Sequence, residues 1–254
     1  MPDVLLLTGA AGRVAEVLRP SLRERWSLRL TDLVEPGTPP APGETFLPGD
    51  LRDPDFPAAA TEGVAAIVHL GGVPSPGADW PELIETNVAG STRLLEAARS
   101  RSVRRIVIAS SVHAVGGYNT PDQWPVHPSW PIRPCCPYGA GKAAMEAAAR
   151  LYSDEVPDAR VVCLRFSLTA HAPAYRHHAQ ACLADPDLHS LVAASLATDQ
   201  RFGIHFGASI CPRARYDLTT AAAELGWRPA VRIDDSGLPD HPEPGEGRCR
   251  IWRP

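Results

Sequence analysis

Tyr138 and Lys142 lie four positions apart in the stretch Tyr138-Gly139-Ala140-Gly141-Lys142. On a helix this spacing puts both side chains on one face, one turn from each other. A free phenol has a pKa of about 10 and is a poor base at neutral pH. A neighbouring ammonium stabilises the phenolate and lowers that value. The pair is therefore equipped to take a proton from a substrate hydroxyl and to return it.

A second constellation stands at the front of the chain. The apolar run Val4-Leu5-Leu6-Leu7 reads as a buried strand, and Thr8-Gly9-Ala10-Ala11-Gly12-Arg13-Val14-Ala15 follows at once. A helical pattern then carries Val14, Val17, Leu18 and Leu22. Gly9 can make the tight turn, and Gly12 lets the backbone approach a pyrophosphate. Ala11, Arg13 and Val14 complete a turn whose helix end offers free N–H groups to phosphates. Ala15 is small enough for close helix–strand packing. A second strand, residues 28–31, ends at Asp32. A carboxylate there accepts from the adenosine ribose hydroxyls and repels a 2′-phosphate, which favours NAD over NADP. Arg13 pulls the other way, because it could reach a 2′-phosphate.

Strands and helices alternate beyond this point. Residues 45–47 read as a third strand leading to Asp50 and Leu51. Residues 65–70 are a fourth, ending in Leu70-Gly71-Gly72. A long helix is predicted over 80–101, with Leu83, Val88, Leu94, Leu95 and Ala98 inward. Residues 106–109 form a fifth strand running into Ser110-Ser111. A helix over 138–152 and a sixth strand over 161–164 follow. This alternation implies an α/β fold with a Rossmann-type, doubly wound parallel sheet. Ligands bind at the carboxyl ends of such strands, where Gly9, Asp32, Asp50, Gly71 and Ser111 all fall.

The 254 residues suit one large domain or a domain with a small lobe. We expect a nucleotide-binding core over 1–170, a small substrate lobe over 171–230 interleaved with the last core elements, and a loose tail over 231–254. The net charge of −4 and the absence of a basic stripe argue against nucleic acid as a partner. No stretch is apolar for long enough to cross a membrane, and residues 4–7 are too short for a signal peptide core. The six cysteines lack metal-binding spacing and read as reduced thiols of a cytoplasmic protein. His171 and the pair His177-His178 have no accompanying ligand set, so no metal is expected.

With these residues in place, the chain resembles an extended short-chain dehydrogenase/reductase of the NAD-dependent epimerase/dehydratase family. The resemblance runs from about residue 4 to residue 227. It rests on Thr-Gly-x-x-Gly, Asp32, Asp50-Leu51, His69-Leu70-Gly71-Gly72, Asn87, Ser110-Ser111 and Tyr138-x-x-x-Lys142. Within the family it is most similar to the uronate dehydrogenases, sharing Ser-Ser-x-His, a following Gly-Tyr and a late Gly-Ala-Ser. Nucleotide-sugar epimerases typically carry a larger C-terminal lobe.

The resemblance implies a mechanism and a site. Ser111 would hydrogen-bond the reacting oxygen, Tyr138 would take its proton, and Lys142 would hold the nicotinamide ribose while lowering the Tyr138 pKa. Asp50 and Leu51 would bracket the adenine, with Leu70, Gly71, Gly72 and Asn87 against the cofactor. Ser75, His113 and Ser167 would face the substrate. A cyclic hexuronic acid would be oxidised at C1 to a lactone, and Arg176 would meet its carboxylate. Three departures bear on the sugar. Val112 replaces a polar residue, Arg165-Phe166-Ser167 lacks the usual Gly-Ser, and Ser209 to Tyr216 lacks a Trp-rich segment. A pocket that loses hydrogen-bond partners changes specificity strongly.

Two alternatives remain open. One is an NAD-dependent sugar epimerase, or a reductase of another small polyol. The other is a non-catalytic dinucleotide-binding module, which the retained Ser111, Tyr138 and Lys142 disfavour. A dehydratase is disfavoured because Val112-His113-Ala114 carries no acidic pair. Ala143, Ala144, Ala147, Ala148 and Leu151 give the Tyr138 helix a small apolar side, and the resemblance implies a homodimer or higher homo-oligomer built on it.

Overall fold

In the computed structural model, residues 2–170 and 172–240 are described. The order begins β1 (Val4–Thr8), α1 (Arg13–Leu22), β2 (Ser27–Thr31), β3 (Glu44–Phe46), α2 (Phe56–Ala60) and β4 (Val64–His69). It continues through α3 (Trp80–Leu83), a π turn (Ile84–Ala89), α4 (Gly90–Ser100), β5 (Arg105–Ser111) and a 3-10 segment (Val112–Tyr118). Then come α5 (Pro137–Glu155), β6 (Arg160–Phe166), β7 (Leu168–Thr169), α6 (Arg176–Ala179), β8 (Cys182–Leu183), α7 (Asp185–Ala197), β9 (Phe202–Gly207) and α8 (Thr219–Glu224).

Seven parallel strands form one sheet in the order β3-β2-β1-β4-β5-β6-β9. Both faces of a parallel sheet must be covered, and its central strands β1 and β4 are accordingly almost continuous apolar runs. In β1, Leu5 and Leu7 point to one side and Leu6 to the other, as a two-residue period requires. The Leu5 side packs on α1 and α7 through Leu18, Leu22, Leu188 and Leu191. The Leu6 side packs on α4 and α5 through Leu94, Leu95, Met145 and Ala149. The strand order reverses between β1 and β4, and a crevice opens at the carboxyl ends there. This is the doubly wound α/β architecture that the strand–helix alternation implies.

The helix expected over 80–101 is interrupted. Ile84–Ala89 is a π turn, which houses one residue more than an α turn. The extra residue rotates the face that follows it. Asn87 is consequently buried, and Val88, expected inward, is only half-buried.

The first part of the expected tail is fastened to the fold. The Val231 N–H donates to Asp187 at 3.2 Å, and the Ile233 N–H donates to the Ile210 carbonyl at 2.8 Å. Asp235 is buried and accepts from Arg213 at 2.8 Å. Residues 241–254 of that expected tail lie outside the described residues.

Candidate active site

The crevice encloses about 780 Å³, within the range of small-molecule and cofactor pockets. One end is built by the turn after β1. Gly9 has φ +69°, and a Cβ there would lie 2.8 Å from the Gly71 nitrogen, so only glycine allows the β1 and β4 ends to approach. Gly12 is the N-cap of α1 and brings no capping side chain, which leaves the first-turn amides open to an anion. Gly12, Arg13 and Val14 line the wall. Ala11 does not. Its N–H is turned to the Asp32 carboxylate at 2.9 Å and supports that residue instead.

Asp32 lines the crevice and also accepts from the Leu33 N–H at 2.7 Å, which fixes the carboxylate at the strand end. Asp50 and Leu51 lie beside it, with Asp50 paired to Arg52 at 2.7 Å. The Arg52 guanidinium holds the Asp50 carboxyl below its ordinary value. Arg13 is paired with Asp185 at 2.7 Å. Its guanidinium therefore has a carboxylate partner already, which weakens its case as a reader of a 2′-phosphate.

Leu70, Gly71 and Gly72 form the facing wall, held from behind by a chain of buried polar groups. The Ser91 hydroxyl donates to the Asn87 carbonyl at 2.5 Å, so it accepts from His69 Nε2, 2.8 Å away. His69 Nδ1 is then an acceptor for the Thr8 hydroxyl at 2.7 Å. The Thr8 oxygen in turn accepts from the Gly71 N–H at 3.0 Å. This order requires a neutral imidazole with its proton on Nε2. Burial, with the Lys142 charge adding to it, pushes the His69 pKa down to about 3. Asn87 belongs to this support and not to the wall. Ser75 also lies off the wall, because its hydroxyl closes a tight turn by accepting from the Gly77 N–H at 3.3 Å.

At the other end stand Ser111, Tyr138 and Lys142. Ser111 is the last residue of β5, and Tyr138 and Lys142 occupy the first turns of α5. Gly139 makes their approach possible, since a Cβ there would sit 2.2 Å from the His113 carbonyl oxygen. The Tyr138 hydroxyl is hydrogen-bonded with Ser111. Lys142 Nζ lies 5.6 Å from the Tyr138 ring centre and donates to the Ala109 carbonyl at 2.7 Å. Burial pushes the Tyr138 phenol up to about 12; the bond with Ser111 pulls it down, and Cys136 adds to the rise. Burial pulls the Lys142 ammonium down to about 8. The expected lowering by Lys142 is not found in this state: burial dominates the phenol, Ser111 is the group that lowers it, and Lys142 is the first of the pair to give up a proton.

His113 and Ser167 line the same end, with Val112, Phe166 and Thr169. The His113 ring meets Tyr138 edge-on, centres 5.5 Å apart. Arg176 is elsewhere. It opens α6, donates to the Leu238 carbonyl at 3.2 Å and lies 3.6 Å from the Asp240 carboxylate. The segment after α8, fastened by Asp187, brings those partners to it. Among the described residues, Arg13, Arg52 and Lys142 are the Arg and Lys side chains in the wall.

A family profile described as the NAD dependent epimerase/dehydratase family matches residues 5–180. The chain belongs to that family. It is 32% identical over 246 residues to an NAD-dependent glucose-6-phosphate dehydrogenase of Haloferax volcanii, covering 90% of this chain and 94% of that protein. It is 32% identical over 249 residues to a uronate dehydrogenase of Pseudomonas syringae pv. tomato, covering 94% and 89%. The crystal structure of the uronate dehydrogenase from Agrobacterium tumefaciens superposes with a TM-score of 0.82 at 32% identity, over 91% of this chain and 85% of that one. A mutant of that same enzyme has been solved with NAD. This member of the epimerase/dehydratase family is an NAD-dependent dehydrogenase, and the crevice fits the cofactor: a glycine turn, open helix amides and a fixed carboxylate stand where the pyrophosphate and ribose need them.

Residues that sequence reasoning overlooked lie behind the catalytic end. Glu146 accepts from Ser110 at 2.6 Å and from Arg165 at 2.8 Å through each oxygen. Arg165 also donates to the Pro128 carbonyl at 3.0 Å. Both partners are at most 2% exposed. The signal was available: Glu146 continues the four-residue step of Tyr138 and Lys142 on one helix face. The fold also gathers His113, Cys135 and Cys136 into one cluster.

Proposed function

We propose that this chain oxidises the C1 hydroxyl of a free cyclic sugar acid or aldose to a lactone, with NAD as acceptor. The observation that carries the reading is the convergence of Ser111, Tyr138 and Lys142 at one end of a crevice whose other end holds Asp32. NAD supplies the ring that accepts the hydride. The turn from Gly9 to Val14 binds the pyrophosphate, Asp32 accepts from the adenosine ribose hydroxyls, and Asp50 with Leu51 flanks the adenine. Ser111 donates to the substrate oxygen and orients it. Tyr138 takes the hydroxyl proton as the C–H bond breaks. Lys142 supplies the positive charge that makes a phenolate tolerable in a buried site. His113 and Ser167 hold the remaining sugar hydroxyls.

Uronates are the first candidate substrates, from the named relatives and the shared Ser-Ser-x-His. A neutral aldose is a second reading, favoured by the position of Arg176 against Leu238 and Asp240, and glucose 6-phosphate enters the test through the named Haloferax volcanii relative. The test is NADH formation with glucuronate, galacturonate, neutral aldoses and glucose 6-phosphate. Turnover of a hexuronate supports the first reading, and turnover confined to the other sugars supports the second. Silence with all of them, with NAD bound, overturns C1 oxidation.

We further propose that two copies pair through α3–α4 and α5, where Trp80, Ile84 and Leu151 are exposed. Among the described residues no helix is long and apolar enough to cross a membrane. The described cysteines are free thiols, which fits a reducing compartment such as the cytoplasm.

A further inference from the structure

Cys135 and Cys136 are adjacent in sequence, yet both sulfurs lie against one atom. Each Sγ is 3.4 Å from His113 Nδ1, and the two sulfurs are 3.9 Å apart. Cys136 has extended backbone (φ −164°, ψ 167°), a geometry in which neighbouring side chains ordinarily diverge. Their convergence is imposed by the crossing of two segments: the Cys135 N–H donates to the His113 carbonyl at 3.3 Å.

The triangle of donor atoms has the dimensions of a metal site. With Zn–S about 2.3 Å and Zn–N about 2.0–2.1 Å at tetrahedral angles, sulfurs stand about 3.8 Å apart and sulfur and nitrogen about 3.6 Å apart. A cation could therefore seat among these three atoms with shifts of a few tenths of an ångström. Two thiolates and an imidazole select a soft or borderline divalent ion over magnesium or calcium. Cys135 is half-buried and gives the ion a way in, whereas Cys136 and His113 are buried.

We propose that His113 Nδ1, Cys135 Sγ and Cys136 Sγ form a binding site for a soft divalent cation of the zinc class. Binding releases the two thiol protons to solvent and leaves the set of ion and two thiolates with no net charge. The fourth position is left for water. The ion would clamp the start of α5, which carries Tyr138, to the segment that follows Ser111. Its role is to fasten the catalytic end of the crevice, and hydride transfer needs no step through it.

The test uses the full chain, reduced and stripped of metal, titrated with cobalt(II). We expect one equivalent to produce a thiolate-to-cobalt charge-transfer band in the near ultraviolet together with the intense visible bands of four-coordinate cobalt. Zinc should displace it and raise the melting temperature. Cys135→Ser and Cys136→Ser should each weaken the ultraviolet band, and the double variant should lose both features and the melting shift. NAD binding by the double variant checks that it is folded, and Cys135→Ala with Cys136→Ala serves if the serines are not. Only the faint bands of six-coordinate cobalt in the parent protein, or unchanged bands in a folded double variant, would overturn the site.

Discussion

The side-chain amide of Asn87 holds the main chain of Val73 by both of its polar groups, accepting from the N–H at 2.7 Å and donating to the carbonyl at 3.1 Å. Val73 continues the Gly71-Gly72 wall of the crevice, so a residue outside the wall sets the wall's position. Asn87→Ala leaves two part-buried backbone groups of Val73 unpaired, at up to about 1 kcal/mol for each such group. We expect a lower urea midpoint and a kcat/KM for NAD reduced about tenfold. An unchanged KM for NAD would separate Asn87 from the cofactor wall.

Tyr138→Phe removes the proton acceptor and leaves the glycine turn and Asp32 intact. Turnover should fall by about 10²–10⁴ while NAD affinity stays within about twofold. Single-turnover kinetics beside a fluorescence titration of NAD will read both quantities. Retained turnover would refute the role.

The pH profile should follow Lys142. Tyr138 as a neutral phenol beside neutral Lys142 carries the same number of protons as phenolate beside ammonium, and the second arrangement is the one able to accept from substrate. The pair loses its first proton as Lys142 titrates at about 8. For oxidation, kcat/KM should therefore climb about tenfold per pH unit below that value and level above it. Lys142→Met should abolish the inflection. A flat profile in the parent protein between about pH 6 and about pH 9 would contradict the assignment.

Glu146→Gln leaves Arg165 buried without its counter-ion. We expect a loss of about 3 kcal/mol or more in chemical denaturation, the usual cost of breaking one side of a buried pair. Replacing both partners at once, Glu146→Leu with Arg165→Met, should cost less than the single change. An additive double variant would show that the pair is not coupled.

Asp32→Ser should relax the coenzyme preference. Two backbone amides, of Ala11 and Leu33, lose their acceptor, and the repulsion of a 2′-phosphate disappears. The ratio of kcat/KM for NAD over NADP should fall at least tenfold, read from initial rates with each coenzyme.

The cofactor half was legible because its signals are local. A strand, two glycines, a helix and a carboxylate at a strand end can each be recognised within a few residues, and Gly9, Asp32, Asp50, Gly71 and Ser111 do line one crevice. The seventh strand of the main sheet, β9, was not foreseen. Phe202–Gly207 carries two glycines and a histidine, and its pairing partner β6 lies about forty residues away. Arg176 shows the same limit from the other side. Its type suits a carboxylate, but Leu238 and Asp240, more than sixty positions on, decide where it points. The π turn left no readable mark either, because one extra residue changes the phase of a helical pattern without changing its composition.

That turn also makes the chain unevenly tolerant of changes in length. In a regular helix, losing one residue rotates everything on one side of the gap by about 100° against the other. Ile84–Ala89 already stores a spare residue. A deletion at Glu85 could be absorbed there by relaxation to ordinary α geometry, with α3 and α4 both kept on the sheet. Homologues that differ by one residue at this point should therefore keep the helix and the fold while losing the grip of Asn87 on the loop. Length variation in the middle of a helix would then tune a cofactor site, a task that proteins more often leave to their loops.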